Sequence, residues 1–504
     1  MKIVIIGAGL GGLSFGALAA RDGHEVLLID KNKEPGGVLT LARQDGFCFE
    51  QGPLLLTDLA PGDSVWRFLK ELGIRLETQR EDRGLCTPDF SLNPPECYEG
   101  PDWRKKRLKA LFPADRRGID EYYRFYDALT KLRFLAGEKP SALTMLKMAR
   151  AYRKIKPYEN MNCRAFTEKL FSDERLRLIF NGILADFCAD PEEVHCLLLP
   201  FVNTETAFDK RIPTGRGKKK LYSDYRVITG GCQKLPEALC EYILAHGGTF
   251  LPETVAEKVL VEDGKAAGVR LSDGRVVYAD AVVGAGSARD FFEQTVGEAY
   301  LDDAYRDILK RFRPMEAVFM VHLGVDFDPS VYQKPCLCYY YGSYDLHGAV
   351  EKLRNGVYHG GGDGYLIYFP DRHAPAFAPA GCHCVTIYTV CPDRLREGSW
   401  EEKKEEYADR LIRLAEKHLP GLSDHIVTKK IMTAEDYRRL THMSKSSFGG
   451  TVPIWKQKNP PHKTPVKNLV FIGQQSENGG GVPLVINGAA DAYEKWKGEA
   501  DLCG

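Results

Sequence analysis

An α/β fold wound around a parallel sheet is predicted by three features of the sequence. Lys2-Ile-Val-Ile-Ile6 reads as a short buried strand, and Gly7-Ala-Gly9-Leu10-Gly11-Gly12 follows it as a GxGxxG turn. A second apolar run, His24-Glu-Val-Leu-Leu-Ile29, ends at the acid Asp30, eighteen residues after Gly12. Near the far end, Asn468-Leu-Val-Phe-Ile-Gly473 again reads as a strand delivering a glycine to a turn, and Leu484 to Trp496 reads as a helix.

Each part of the first unit has a physical reason. Apolar, β-branched runs without alternation mark strands buried on both faces. Leu13 to Arg21 carries small residues to face a sheet, and Asp22-Gly23 ends that helix. Gly7 permits the tight turn, Gly9 lets the backbone approach a pyrophosphate, and Gly12 brings helix and strand together. The helix start offers free N–H groups to phosphates, and Asp30 can accept from an adenosine ribose. This is a Rossmann-like βαβ unit. A rival reading is a signal peptide, since Ile3 to Ala20 is uncharged, follows a lysine and ends near Ala17-Leu-Ala19. The framed glycine spacing and the placed acid favour the βαβ unit. NAD and FAD both remain open on these residues.

Composition bounds the rest. With 504 residues, 44% hydrophobic and 27% charged, the chain has ordinary globular usage and room for two or three lobes. Its formal net charge is zero, so no global field argues for nucleic acid. Fourteen cysteines without a CxxC framework fit a reducing cytoplasm. Cys336/Cys338 and Cys382/Cys384 have a CxC spacing that would put both thiols on one strand face. Structural zinc sites usually use wider spacings, so buried strand cysteines are the expectation and no metal is assigned.

Lys31-Asn-Lys-Glu-Pro-Gly36-Gly37 places a Gly-Gly pair just beyond Asp30, and Gly46-Phe-Cys-Phe-Glu50-Gln-Gly52-Pro53 follows. These runs resemble the start of the phytoene desaturase family of flavoproteins, which includes carotenoid desaturases, carotenoid isomerases and retinol saturases. The resemblance extends along essentially the whole chain. Thr229-Gly230-Gly231-Cys-Gln-Lys-Leu235 is similar to the family's G-G-x-x-x-L turn, and Pro375-Ala-Phe-Ala-Pro-Ala-Gly381 to its S-L-A-P-P-G loop. Glu253-Thr-Val255-Ala-Glu-Lys-Val259 resembles the strand whose valine backbone meets the adenine. Gly473 to Gly481-Val482-Pro483 resembles the C-terminal FAD motif.

The resemblance implies FAD as cofactor, held by Gly7, Gly9, Leu10, Gly11, Gly12, Asp30, Lys31, Gly36, Gly37, Val38, Val255, Gly473, Gly481, Val482 and Pro483. It implies a hydrophobic, carotenoid- or polyene-like substrate undergoing desaturation, saturation or isomerisation. Two departures stand out. Val38 takes the place of the family's arginine, and Gln474-Gln-Ser-Glu-Asn478 replaces alanine-glycine-threonine-histidine-proline. If a side chain assists near the flavin, Glu477 is the candidate catalyst, with Gln475 as a polariser.

On this reading residues 1–80, 228–290 and 461–504 form the FAD-binding parts of a Rossmann-like domain. Residues 81–227 are a mostly helical, basic insertion, and 291–460 a strand-rich substrate domain with a mixed β-sheet. Between residues 100 and 226 there are 27 Lys and Arg against 17 Asp and Glu. The stretches Arg104 to Lys109, Lys147 to Lys156 and Lys210 to Lys220 supply most of the excess. In the second, Met145, Met148, Ala149, Tyr152 and Ile155 share one helical face and Lys147, Arg150 and Lys154 the other. With the lipid-borne substrates of the family, that pattern predicts docking on a membrane surface, so a cytoplasmic protein peripheral on the inner face is expected. No segment is long and apolar enough to span a bilayer.

His322, on the apolar run Val318 to Gly324, is expected to be a hydrogen-bonded core residue. No Ser-His-Asp set, HExxH or second GxGxxG is present. Electrons from the flavin would therefore leave to a quinone, oxygen or another acceptor. Two alternatives stay open: an amine-oxidase-like flavoprotein acting on a soluble C–N substrate, and a non-enzymatic flavin-binding or chaperone-like membrane protein.

Overall fold

Buried apolar runs assemble the central sheet. In the computed structural model, which describes residues 1–503 except 137, 138, 140, 217, 218, 221, 446 and 447, β1 (Lys2–Ile6) and β2 (Glu25–Ile29) lie side by side in parallel. The full order is Thr249–Leu251, β2, β1, Ala281–Ala285 and Leu469–Ile472, every neighbouring pair parallel. Val4 lies opposite Leu27 on one side and Val282 on the other, so each strand centre meets apolar neighbours within the sheet.

The crossover helix α1 (Leu10–Arg21) is buried from Leu10 through Ala20 because it lies between this sheet and the C-terminal helix. Small side chains along it permit that close approach on both sides. The C-terminal helix spans Val482–Cys503, beginning two residues earlier and ending later than the pattern Leu484 to Trp496 indicated. Phe15 meets Tyr493 edge-on with ring centroids 5.3 Å apart. The Tyr493 hydroxyl and Lys497 both donate to Asp22, at 2.8 and 2.7 Å. Arg21, with Lys497 and Tyr493, holds the Asp22 carboxyl well below the usual carboxylate range.

A second, six-stranded sheet lies beside it, in the order Ile426–Met432, Ala317–Val325, His383–Cys391, Gly364–Tyr368, Leu337–Tyr341 and Arg83–Cys86. All pairs are antiparallel except the last. The hairpin Leu41–Gln44 and Phe47–Glu50 turns through Asp45-Gly46, both at positive φ, as a tight two-residue hairpin requires.

His322 occupies the centre of this sheet, fully buried, stacked on Phe49 at 5.0 Å and hydrogen-bonded through Nδ1 to the Thr386 hydroxyl at 3.0 Å. Burial lowers its pKa to about 3, so the folded protein holds the ring neutral where the unfolded chain protonates it. A group depressed in this way stabilises the fold above its unfolded value and loses that contribution as pH falls towards the folded value. His322→Phe is therefore expected to flatten the decline of stability below about pH 6.5 by roughly 1.4 kcal/mol per pH unit. Urea unfolding at pH 7.5 and 5.5 measures it, and an unchanged slope would refute the assignment.

The helices Trp103–Leu111, Arg116–Ala136, Ala142–Ile155, Cys163–Leu170 and Glu174–Asn181 gather around a separate aromatic core containing Tyr122, Phe125, Phe166 and Phe180. The helix Ala142–Ile155 departs from expectation. Its inward residues are Thr144, Ala151 and Ile155, with Met148 half-buried, whereas Leu143, Met145, Leu146 and Tyr152 are exposed. The helix packs on the long helix Arg116–Ala136 with Ile155 of the expected apolar face inward, while Met145 and Tyr152 of that face stay exposed. Of the third basic stretch, residues 217 and 218 lie outside the described residues. Among the described residues no helix is long and apolar enough to cross a membrane.

Candidate cofactor and substrate site

In open α/β sheets ligands bind in the crevice at the carboxyl ends of the strands. Ile6 and Gly7, Ile29 and Asp30, Ala285 and Gly286, and Gly473 stand at four adjacent strand ends, and all line one cleft of about 610 Å³. Gly9, Leu10, Gly11, Lys31, Gly36, Gly37, Val38, Gly481 and Val482 line it too. Residues from both ends of the chain therefore meet over the sheet.

The glycines divide the work. Gly9 is the N-cap of α1 with no side chain capping it, and a Cβ there would meet no atom within 4 Å. That leaves the helix start, with its partial positive charge, open for an anion. Gly36 and Gly37 both have positive φ, and the Gly36 N–H donates to the Ala8 carbonyl at 2.8 Å, which ties the second turn to the first. Gly12 lies outside the lining: a Cβ there would stand 2.0 Å from the Gly7 carbonyl oxygen, so its role is helix–strand contact. Asp30 accepts from the Ala8 and Asn32 N–H groups, each at 2.7 Å. Burial raises its pKa, opposed by those two hydrogen bonds.

Val255 and Pro483 also lie outside the lining. Thr254 and Ala256 line the cleft on either side of Val255, whose carbonyl accepts from Ser272 N at 3.0 Å. Pro483 falls in the first turn of the C-terminal helix, where its missing N–H costs nothing.

The expected catalytic pair is displaced. Gln475 is buried and its Oε1 accepts from Ala288 N at 2.9 Å, so the polar run there braces a neighbouring helix start. Glu477 pairs with Lys495 at 3.3 Å and lies 3.7 Å from His462, and neither Gln475 nor Glu477 lines the cleft. Gln474 does line it. Gln475 is turned into the packed interior and Glu477 lies exposed at the surface, so neither side chain reaches the cleft. The CxC pairs likewise do not converge: Cys384 Sγ contacts the Cys48 and Phe377 carbonyls, whereas Cys338 Sγ lies 3.8 Å from Cys86 Sγ.

Asp186, absent from the sequence reading, lines the cleft, as do the apolar side chains of Phe187, Met315 and Phe448. It also lines an adjoining cavity of about 50 Å³ with Tyr339, Tyr341, Leu346, Leu366 and Tyr388. Tyr339 donates to its Oδ2 at 2.6 Å. Burial pushes the Asp186 carboxyl up to about 6, against the pull of Tyr339 and of Arg83. A carboxyl poised there, at an apolar wall, can take a proton near neutral pH. Nothing local in Leu184-Ala-Asp186-Phe187 signals this, because its partner lies 153 positions away. Glu50 is a second buried acid, accepting from Cys232 N at 2.7 Å and from the Tyr368 hydroxyl at 2.8 Å. It joins the first hairpin, the Thr229–Gly231 turn and the six-stranded sheet behind the cleft.

Known proteins match along most of the chain. A family model described as an NAD(P)-binding Rossmann-like domain matches residues 5–72. Prolycopene isomerase 2, chloroplastic, of an Oncidium hybrid cultivar is 25% identical, with 96% of this chain and 81% of the relative covered. The lycopene-forming phytoene desaturase of Pseudescherichia vulneris is 22% identical over 97% of both chains. The crystal structure of an oxidoreductase from Methanosarcina mazei superposes with a TM-score of 0.65 at 20% identity, covering 98% of this chain and 100% of that one, which is a likeness of fold. With relatives matched along almost all of its length and a glycine-lined cleft at the ends of a parallel sheet, the chain is similar to the carotenoid isomerases and phytoene desaturase-type oxidoreductases.

Proposed function

We propose that the protein is an FAD-dependent oxidoreductase acting on C–C or C=C bonds of a hydrophobic, polyene-like substrate. The observation that carries this reading is one cleft with two characters. Its polar lining has the uncapped start of α1, the paired glycine turns and Asp30, which fit a pyrophosphate and a ribose. Its apolar lining includes Phe187, Met315 and Phe448, and Asp186 is shared with a tyrosine-lined cavity. The relatives' activities, a prolycopene isomerase and phytoene desaturases, point the same way.

In this reading Gly7 to Gly11, Asp30, Lys31, Gly36, Gly37, Gly473 and Gly481 to Val482 hold the dinucleotide. Bound FAD supplies the hydride acceptor. The apolar lining aligns the substrate C–H bond and excludes water, so positioning contributes more than a strong base. Asp186 Oδ1 takes the proton from the adjacent carbon while Oδ2 stays bonded to Tyr339, which completes removal of one hydride and one proton as the double bond forms. A reduced cofactor held there would need an acceptor such as a quinone or oxygen for the next turnover. Anaerobic incubation of the flavoprotein with polyenes and with amines tests the assignment: bleaching by polyenes is expected, and bleaching by amines alone would replace it with the amine-oxidase reading.

Membrane-surface binding is part of the proposal. Leu143, Met145, Leu146 and Tyr152 are exposed on one helix, at 60, 66, 48 and 43%, beside exposed Lys147, Arg150, Arg153 and Lys154. Exposed apolar side chains flanked by cations are what an interfacial helix presents to anionic lipid. The wild-type protein is expected to float with anionic liposomes at low salt, and the M145E/L146E variant to stay in the soluble fraction with its flavin content unchanged. Equal flotation of both would move the contact elsewhere.

A further inference from the structure

Three buried side chains from distant parts of the chain converge on a point that the cofactor cleft does not reach. Glu81 ends the strand Thr78–Glu81, Cys336 immediately precedes Leu337–Tyr341, and His373 follows the short turn Pro370–Arg372. Their exposures are 3, 0 and 7%. One donor atom from each, a carboxylate oxygen, Sγ and a ring nitrogen, all lie within 4.8 Å of one another.

Each residue is fixed by its backbone. Cys336 O accepts from Phe369 N at 2.9 Å, and His373 O accepts from Gly230 N at 2.8 Å. Glu81 is paired in the two-stranded ladder opposite Tyr225. The side chains differ in their use: Glu81 already accepts from Lys210 and from Asp82 N, whereas His373 is unpartnered among the described residues. Neither ring nitrogen of His373 makes a hydrogen bond among the described residues. Buried polar atoms without a partner are uncommon in folded proteins and call for a missing ion or water. Nε2 of His373 and Oε1 of Glu81 are 3.4 Å apart. Two ligands bound at about 2.0–2.1 Å with a tetrahedral angle stand about 3.3 Å apart, so this pair already has the required spacing.

We propose that Glu81, Cys336 and His373 form a buried site for a borderline-soft divalent cation of the Zn²⁺ class, separate from the cofactor cleft. The mixed oxygen, sulfur and nitrogen donor set suits that class, and three protein ligands leave a fourth position for water. Zinc is held by the thiolate rather than the thiol. Binding therefore replaces the S–H proton by the metal and releases one proton to solvent. Lys210, which donates to Glu81 at 2.8 Å and is 41% exposed, is displaced from that carboxylate oxygen into solvent. The ion clasps the substrate sheet to the Thr229–Gly231 turn through His373 and to the first strands of the inserted region through Glu81.

The test uses the full-length, flavin-loaded protein. After treatment with a chelator it is titrated with Zn²⁺ against a chromophoric competitor, and in parallel with Co²⁺ for X-ray absorption. One ion per chain with one sulfur ligand is expected, together with a higher melting temperature and an unchanged flavin spectrum. Cys336→Ser and His373→Gln are each expected to lose the ion, whereas substitution of the exposed Cys97 by serine retains it. The proposal is overturned if the wild-type chain retains no metal, if the cobalt spectrum lacks a sulfur ligand, or if both site variants bind as the wild type does. The wild-type cobalt spectrum decides the matter should either variant fail to fold.

Discussion

Gly9→Ala is expected to give a folded protein that no longer holds its dinucleotide, whereas Gly12→Ala is expected to damage the fold itself. Both residues belong to one short motif, but their surroundings differ. A Cβ on Gly12 would lie 2.0 Å from the Gly7 carbonyl oxygen and 3.1 Å from Ile5 Cγ2. The first contact is backbone at the end of β1, so relief requires α1 to move off the sheet that buries it. Overpacking of this kind costs about 3 kcal/mol or more when no flexible side chain can yield. Gly9 has φ −71° and ψ 174°, which alanine adopts without strain, and its Cβ would meet nothing within 4 Å. The remaining cost is that of alanine at an N-cap, about 0.5–1 kcal/mol. The methyl group would, however, occupy the approach that the second glycine of this motif keeps clear for a pyrophosphate. Urea unfolding and flavin released per chain on denaturation separate the two effects. A Gly9→Ala protein with full flavin content would mean that the pyrophosphate passes elsewhere.

The contrast shows which features a sequence can disclose. The βαβ unit was legible because strand, turn, helix and acid lie within thirty residues and each is locally determined. The Gly473 turn was legible for the same reason, and from opposite ends of the chain the two turns line one cleft. Asp186 was not legible, because its raised pKa comes from burial by distant segments, opposed by Tyr339 and Arg83, which also come from other segments. Periodicity also identified the helix at Ala142–Ile155 but not its inward face. Both the stripe through Thr144, Ala151 and Ile155 and the stripe through Met145, Ala149 and Tyr152 satisfy helical spacing, and only the neighbouring helix chooses between them. Gln475 and Glu477 looked accessible as a polar run beside a glycine turn. The fold instead uses one to brace Ala288 and leaves the other with Lys495. The CxC spacing pointed to buried cysteines, as Cys336, Cys338 and Cys384 are, but could not disclose that Cys336 faces Glu81 and His373 from distant segments.

Asp186→Asn is expected to lower turnover by about 10²–10³-fold while leaving flavin content and thermal stability near wild type, within the range that a positioned acid–base group contributes. The side chain lines the cleft but belongs to none of its glycine turns, so the substitution removes a proton acceptor while leaving the proposed dinucleotide grip intact. The pH profile carries the sharper test. With its carboxyl held at about 6 by burial, Asp186 is protonated below that value and unable to accept a proton from substrate. Turnover by the wild type should therefore rise with pH through about 6 and level off above it, and the Asn variant should lack that limb. Tyr339 supplies a second handle. Its hydrogen bond favours the charged carboxylate and lowers the pKa. Tyr339→Phe should accordingly shift the limb to higher pH while retaining most of the plateau activity. A merely structural role for Asp186 predicts the opposite pattern: loss of stability in both variants and a limb that stays in place. If the limb survives in Asp186→Asn, the proton is taken by another group and the cleft acts on its substrate by alignment alone.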